Sequence, residues 1–252
     1  MSQTTTAYLP PSVTAGTGVR LLCFPHAGGS ASAFGTWQQQ LGPDVTVLPV
    51  QLPGRERRVR EPRFTSVHEL AADLDRSLDP LLEGGPYALY GHSMGAIIAY
   101  HLTQLRAARG ASLPQRLMVG AYPPPHLLAP VTNALNLSDD GLAQWLVDLG
   151  GMSEVLLRYP EWVQSALALL RDDLRICHSH RAAGDPLPCP VDVFAGDRDP
   201  LLPLDAVRGW ARHSTVACRV HTVPGGHFFQ QDSPEVFFPA VAGLLTRELS
   251  RR

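Results

Sequence analysis

Short apolar runs recur along this chain, separated by stretches whose apolar residues repeat at helical spacing, and this alternation constrains the fold more than any other feature. The runs are VRLLCF (19–24), VTVLPV (45–50), YALY (87–90), RLMV (116–119), VDVFA (191–195) and RVHTV (219–223). Each is short enough for a strand buried on both faces, and Pro25 ends the first. The helical stretches are 67–82, with Leu70, Leu74, Leu78 and Leu81 on one face, then 96–108, 204–212 and 234–249. Strands alternating with helices on this scale predict an α/β fold, a mostly parallel sheet with helices on both faces.

One region breaks the rhythm. Between YPPP (122–125) and DPLP (185–188) only helical patterns occur. Ser138 stands where an N-cap belongs, Leu142, Trp145, Leu146 and Leu149 follow on one face, and Gly150 and Gly151 stop the run. A longer helix starts near Pro160 and carries Trp162, Ala166, Leu169, Leu170 and Leu174 at helical spacing. This reads as a helical insertion between proline-rich hinges.

Composition narrows the function classes. The 252 residues allow one large domain or two small ones. With 21 basic residues, all arginine, against 23 acidic ones, the net charge of −2 offers no general field for nucleic acid or an anionic bilayer. No apolar stretch approaches the ~18 residues of a membrane span. The first 18 residues hold neither a basic residue nor an apolar run, so no secretory signal is expected and the protein is placed in the cytoplasm. Cys23, Cys177, Cys189 and Cys218 show no metal-ligand spacing and read as buried reduced thiols.

GHSMG (91–95) matches the G-x-S-x-G nucleophile elbow, in which a serine sits on a strained strand-to-helix turn. Such a pentamer arises by chance in about one chain of this length in ten. Its setting is more specific, because a strand runs into it and a helix opens after it. A serine hydroxyl needs a base within hydrogen-bond reach, and the base needs an orienting acid. In this fold the chain order is Ser, then Asp or Glu, then His. Downstream, GDRDP (196–200) follows one strand and PGGH (224–227) follows the next. Asp197 and Asp199 compete for the acid; Asp199 is preferred because it lies farther out along the loop, with Pro200 behind it, although turn formation alone would explain either. Of the other histidines after Asp199, His213 lies in a helical or helix-end context and His221 within a strand, which leaves His227. The loop FPHAGG (24–29) has the small residues needed where backbone N–H groups approach an oxyanion, which points to the N–H groups of Ala27 and Met94. Arg55, Arg57, Arg58, Arg60 and Arg63 crowd one loop; it could meet an acidic partner, but a solvated loop with Glu56 and Glu61 as counter-charges is the plainer reading.

These blocks together, CFPHAGG (23–29), QLPGRE (51–56), GHSMG (91–95), GDRDP (196–200) and PGGHF (224–228), resemble the free-standing type II thioesterases of polyketide and non-ribosomal peptide biosynthesis, within the α/β-hydrolase superfamily. The resemblance spans nearly the whole chain. It implies a Ser93, Asp199 and His227 triad, an oxyanion hole from Ala27 and Met94, and a core of 1–124 and 186–252 with a helical lid at 125–185. Trp145 and Leu149 of that lid are candidate acyl-chain contacts, and Arg55, Arg57 and Arg58 weaker candidates for partner contact. It further implies hydrolysis of acyl thioesters on the phosphopantetheine arm of acyl or peptidyl carrier proteins, with no metal or organic cofactor, by a monomer. Three alternatives remain: a carboxylesterase with the same triad, a serine acyltransferase, which would commonly carry Glu where Ala96 stands, and a non-catalytic hydrolase-fold binding protein.

Overall fold

The computed structural model describes residues 6–10, 18–181 and 184–249. Among the described residues there are six strands: β1 (Val19–Phe24), β2 (Val45–Pro49), β3 (Tyr87–His92), β4 (Leu117–Gly120), β5 (Val191–Gly196) and β6 (Cys218–Val223). They make one sheet in the order β2-β1-β3-β4-β5-β6, every neighbouring pair parallel. The helices are α1 (Trp37–Leu41), α2 (Val67–Glu83), α3 (Met94–Ala108), α4 (Asp139–Asp148), α5 (Pro160–Ser179), α6 (Phe229–Asp232) and α7 (Pro234–Leu249).

Period-two alternation divides the core between the two faces of the sheet. Leu22, Leu89, Val119 and Val193 pack with Leu74 of α2 and Ile97 of α3. Leu21, Cys23, Ala88 and Phe194 pack with Trp37 of α1 and Phe237 and Val241 of α7. Because both faces are covered, β1, β3, β4 and β5 are buried at every position. Three of the four cysteines are buried and the fourth, Cys218, is half-buried, all as free thiols.

The strand order reverses at β1. β2 lies on one side of it, while β3 and its successors build outward on the other. Chain leaving the carboxyl ends of β1 and β3 therefore diverges and opens a crevice, the usual ligand position in open α/β sheets. Residues 25–29 and Ser93 occupy those two strand ends.

Between β4 and β5 come α4, α5 and the short 3-10 segments Pro130–Asn136 and Glu154–Arg158. Ser138 caps α4, its Oγ accepting the Gly141 N–H at 3.2 Å. Leu142 and Leu146 of α4 and Leu167, Leu170 and Leu174 of α5 join the cluster that holds Leu22 and Phe24, each burial contributing about 1.5–3 kcal/mol. Trp162 departs from expectation and is 71% exposed. Its spacing puts it on the apolar side of α5, but burial in that helix begins only at Leu167, so the first turn projects beyond the core. The 204–212 stretch also differs, winding as a 3-10 helix over Ala206–His213, with Gly209 weakening any α-helical alternative. No helix among the described residues is long and apolar enough to cross a membrane.

Candidate active site

Ser93 joins β3 to α3 with φ 52 and ψ −116. For a non-glycine residue such a backbone costs roughly 1–3 kcal/mol and must be held by its surroundings. Its N–H donates to Gly120 O at 2.8 Å, and its carbonyl accepts the Ala96 N–H at 2.9 Å. The flanking glycines follow from close approach, not from flexibility. A Cβ on Gly91 would lie 2.0 Å from Gly95 O, and one on Gly95 would lie 2.1 Å from Phe24 O. The elbow is thus pressed directly against the end of β1.

The structure places Asp199, not Asp197, against His227. His227 Nδ1 donates to Asp199 Oδ2 at 2.9 Å, and both side chains are buried. The carboxylate can only accept, so Nδ1 carries a proton, and in the neutral ring the lone pair is therefore on Nε2. The second Asp199 oxygen accepts the Leu201 N–H at 2.9 Å. Asp197 instead accepts the Gly225 N–H at 2.8 Å, and Asp232 accepts the Gly226 N–H at 2.8 Å. These two carboxylates shape the turn that delivers His227. Ser93 and His227 line one cavity with Ala121, Ala129, Val131 and Leu201. Its volume is only ≈ 10 Å³, room for about one water.

Two further histidines surround the site. His92 Nε2 lies 2.8 Å from His227 O, and a carbonyl can only accept, so that nitrogen donates; Nδ1 then accepts from Tyr90 OH at 3.1 Å. Burial first, then the neighbouring His227 and His26, hold the His92 pKa well below the ordinary histidine value. His26, edge-on to Phe228 at 4.9 Å, is pushed down to about 4 by burial, His227 and Arg55. Both rings are neutral near neutral pH and place no competing charge beside His227.

Residues 26–29 form a tight turn, closed by Gly29 N–H donating to His26 O at 2.9 Å, with Gly28 at φ 77. This is the type II pattern, in which the third position favours glycine. Ala27 and Met94 are buried in one cluster. Met94 opens α3, where first-turn N–H groups have no acceptor within the helix.

The arginine-rich loop is not the open cationic patch that its sequence allowed. Arg55 is buried, paired with Asp173 of α5 through contacts of 2.7 and 2.9 Å. Arg58 is also buried, donating to Gln51 O at 3.0 Å and to Glu61, with its guanidinium 4.3 Å from the Tyr8 ring centroid. Arg57 is exposed but donates to Ala7 O at 2.9 Å and Leu9 O at 2.5 Å. Asp173, remote in sequence, has taken up the Arg55 charge, while Arg58 pairs with Glu61, one of the expected counter-charges within the loop. In the insertion, Trp145 is half-buried against the main core and Leu149 is half-buried; neither lines the Ser93 cavity. Sequence reasoning passed over Asp173. Its signal was present: it stands three residues after Leu170 and four before Cys177, a charge on the buried stripe of an amphipathic helix.

The chain matches the Thioesterase domain family over residues 19–246. It is 38% identical over 216 residues to thioesterase PikA5 of Streptomyces venezuelae, covering 85% of this chain and 76% of that one. Among solved structures it resembles RedJ, a thioesterase from the prodiginine biosynthetic pathway of Streptomyces coelicolor, at TM-score 0.84 and 34% identity over 93% of this chain and 96% of RedJ. It also resembles BorB, a type II thioesterase from the borrelidin biosynthetic cluster, at TM-score 0.83 and 33% identity over 97% of this chain and 99% of BorB. With the family spanning nearly the whole chain and its solved members sharing this parallel sheet, the protein belongs to the thioesterase family and is a thioester hydrolase of the type II kind, on an α/β-hydrolase fold.

Proposed function

We propose that this enzyme removes acyl groups from the phosphopantetheine arm of acyl or peptidyl carrier proteins in polyketide or non-ribosomal peptide biosynthesis, clearing stalled or aberrant units. The relatives support the setting: RedJ belongs to a prodiginine pathway and BorB to a borrelidin cluster. One observation carries the chemistry. The strained Ser93 lines one small cavity with His227, whose Nδ1 is held by Asp199 at 2.9 Å.

In this reading Ser93 Oγ attacks the thioester carbonyl while His227 Nε2 takes its proton. The N–H groups of Ala27 and Met94 receive the oxyanion. Collapse breaks the C–S bond, and the proton on His227 passes to the departing thiolate, which leaves as the free thiol of the arm. Water then gives a proton to His227 and attacks the acyl-Ser93 ester; collapse releases the carboxylic acid and returns the proton to Ser93. Asp199 fixes the tautomer and faces the imidazolium without itself being protonated.

A cavity with room for about one water cannot admit an acyl arm. The reading therefore includes movement of the helical segment 125–185 as a lid over a core of 1–124 and 186–252. Closure after entry would exclude bulk water. Matched oxygen and thioester substrates of equal acyl length test the reaction class. A higher kcat/KM for the thioester is expected, and a preference for the oxygen ester would favour a carboxylesterase.

A further inference from the structure

Asp173 lies in α5, far in sequence from the elbow, yet its carboxylate holds the turn after β1. Oδ2 accepts the Gly28 N–H at 2.7 Å and an Arg55 N–H at 2.9 Å, while Oδ1 accepts a second Arg55 N–H at 2.7 Å. Arg55 in turn donates to Gly29 O at 2.8 Å. The two side chains are 1% and 5% exposed. The same helix also abuts the turn sterically, since a Cβ on Gly28 would meet Leu170 Cδ1 at 3.7 Å.

A buried ion pair is a weak source of stability, because desolvating two charges offsets most of their attraction. Burial in fact pushes the Asp173 carboxyl upward despite Arg55 and the Gly28 N–H. What the pair does supply is direction. The central peptide of a type II turn can rotate to the type I arrangement, and glycine at the third position admits both. An acceptor on the Gly28 N–H fixes that peptide plane, and the Arg55 bond to Gly29 O fixes the Gly29–Ser30 peptide at the end of the turn. The adjoining Ala27 N–H is the donor assigned to the oxyanion, and such donors act through being held in place before charge develops.

We infer that Asp173, acting with Arg55, is a positioning residue through which the lid helix sets the oxyanion loop, so that the loop is held in donor geometry only while α5 is seated on it. This rests on the assignment of Ser93 and Ala27 made above. In this proposal, lifting of α5 withdraws Asp173 from Gly28 and disarms the loop. Reseating over the bound arm restores it, coupling closure to catalysis.

The test uses an acyl trifluoromethyl ketone that keeps the substrate sulfur as a thioether. Its carbonyl adds Ser93 Oγ reversibly, the hydroxyl proton passing to His227 and the oxyanion entering the hole. Asp173→Ala, which removes every side-chain acceptor from the Gly28 N–H, should weaken this inhibitor and lower kcat by on the order of 100-fold, the effect of one lost oxyanion donor. KM should change little, and binding of the plain thioether in a Ser93→Ala background should be unaffected. A second variant guards against misfolding: Arg55→Met with Asp173→Leu replaces the ion pair by apolar groups, a change that often preserves stability, while removing the acceptor of the Gly28 N–H. It should be folded, with the same loss. Wild-type inhibition and kcat in a folded double variant overturn the inference while leaving the nucleophile assignment intact. If the wild type forms no adduct, or Ser93→Ala forms it equally, the nucleophile assignment itself falls and the inference with it.

Discussion

Asp199→Asn separates the two carboxylates of one loop by a mechanism that the hydrogen bonds specify. Asp199 Oδ1 accepts the Leu201 N–H at 2.9 Å and Oδ2 accepts from His227 Nδ1 at 2.9 Å. In the asparagine variant the amide oxygen keeps the Leu201 N–H, because that site demands an acceptor. The amide NH2 is then turned toward His227 and requires a lone pair on Nδ1. The imidazole must shift its proton to Nε2, the nitrogen that should receive the Ser93 proton. The same tautomer error in serine proteases lowers kcat by about 10⁴-fold, or ~5 kcal/mol of transition-state stabilisation. Asp197→Asn provides the control, since its amide oxygen can still accept the Gly225 N–H now held at 2.8 Å. Thiol release from an acyl thioester, followed colorimetrically at neutral pH, gives kcat for each variant, and thermal melting confirms folding. If folded Asp199→Asn keeps kcat within about tenfold of wild type, or the Asp197 variant falls further, the tautomer argument is refuted.

Ser93→Gly should abolish hydrolysis yet raise stability in urea by up to about 1–3 kcal/mol, because glycine relieves the backbone at φ 52; lower stability would show that this conformation stores no strain. His101, held at about 3 by burial and then by His180 and His68, takes up a proton on unfolding near 6.5 but resists it when folded. Its contribution is complete above that value and is lost as pH falls toward 3, at about 1.4 kcal/mol per pH unit. The wild-type loss between about pH 6 and 4 should therefore exceed that of His101→Gln, and parallel curves would contradict this linkage. Ala129 borders the Ser93 cavity, so Ala129→Leu should shift kcat/KM toward shorter acyl chains; an unchanged chain-length profile would move acyl selection elsewhere.

Local physics made some of this site legible in the sequence. The elbow could be read because a Cβ on Gly91 or Gly95 would lie 2.0 or 2.1 Å from backbone oxygen, a constraint that leaves the same signature wherever strand, turn and helix meet this way. The strand ends carrying Asp199 and His227 follow from chain order and the alternation of elements. What could not be read were contacts whose partners lie far apart along the chain. Arg55 and Asp173 are 118 residues apart, and neither residue alone tells a solvated charge from a buried one. Trp162 shows the complementary limit. Helical spacing assigns a residue to a face of α5, but not whether that turn overlies the core, and here it does not. Asp199 is preferred over Asp197 for its place farther out along the loop, and the structure adds the tertiary reason, since Asp197 is occupied by the Gly225 N–H.

Intact-mass measurement on an acyl-phosphopantetheine carrier protein tests the central claim most directly. Incubated with the wild-type enzyme, the carrier should lose the acyl mass and keep its arm as a free thiol, the acid should appear in solution, and rapid quenching should trap the acyl group on the peptide containing Ser93. Ser93→Ala should leave the carrier loaded. A carrier that stays acylated beside an enzyme still active on small oxygen esters, or an acyl group passed to another acceptor without release of the acid, would contradict the account.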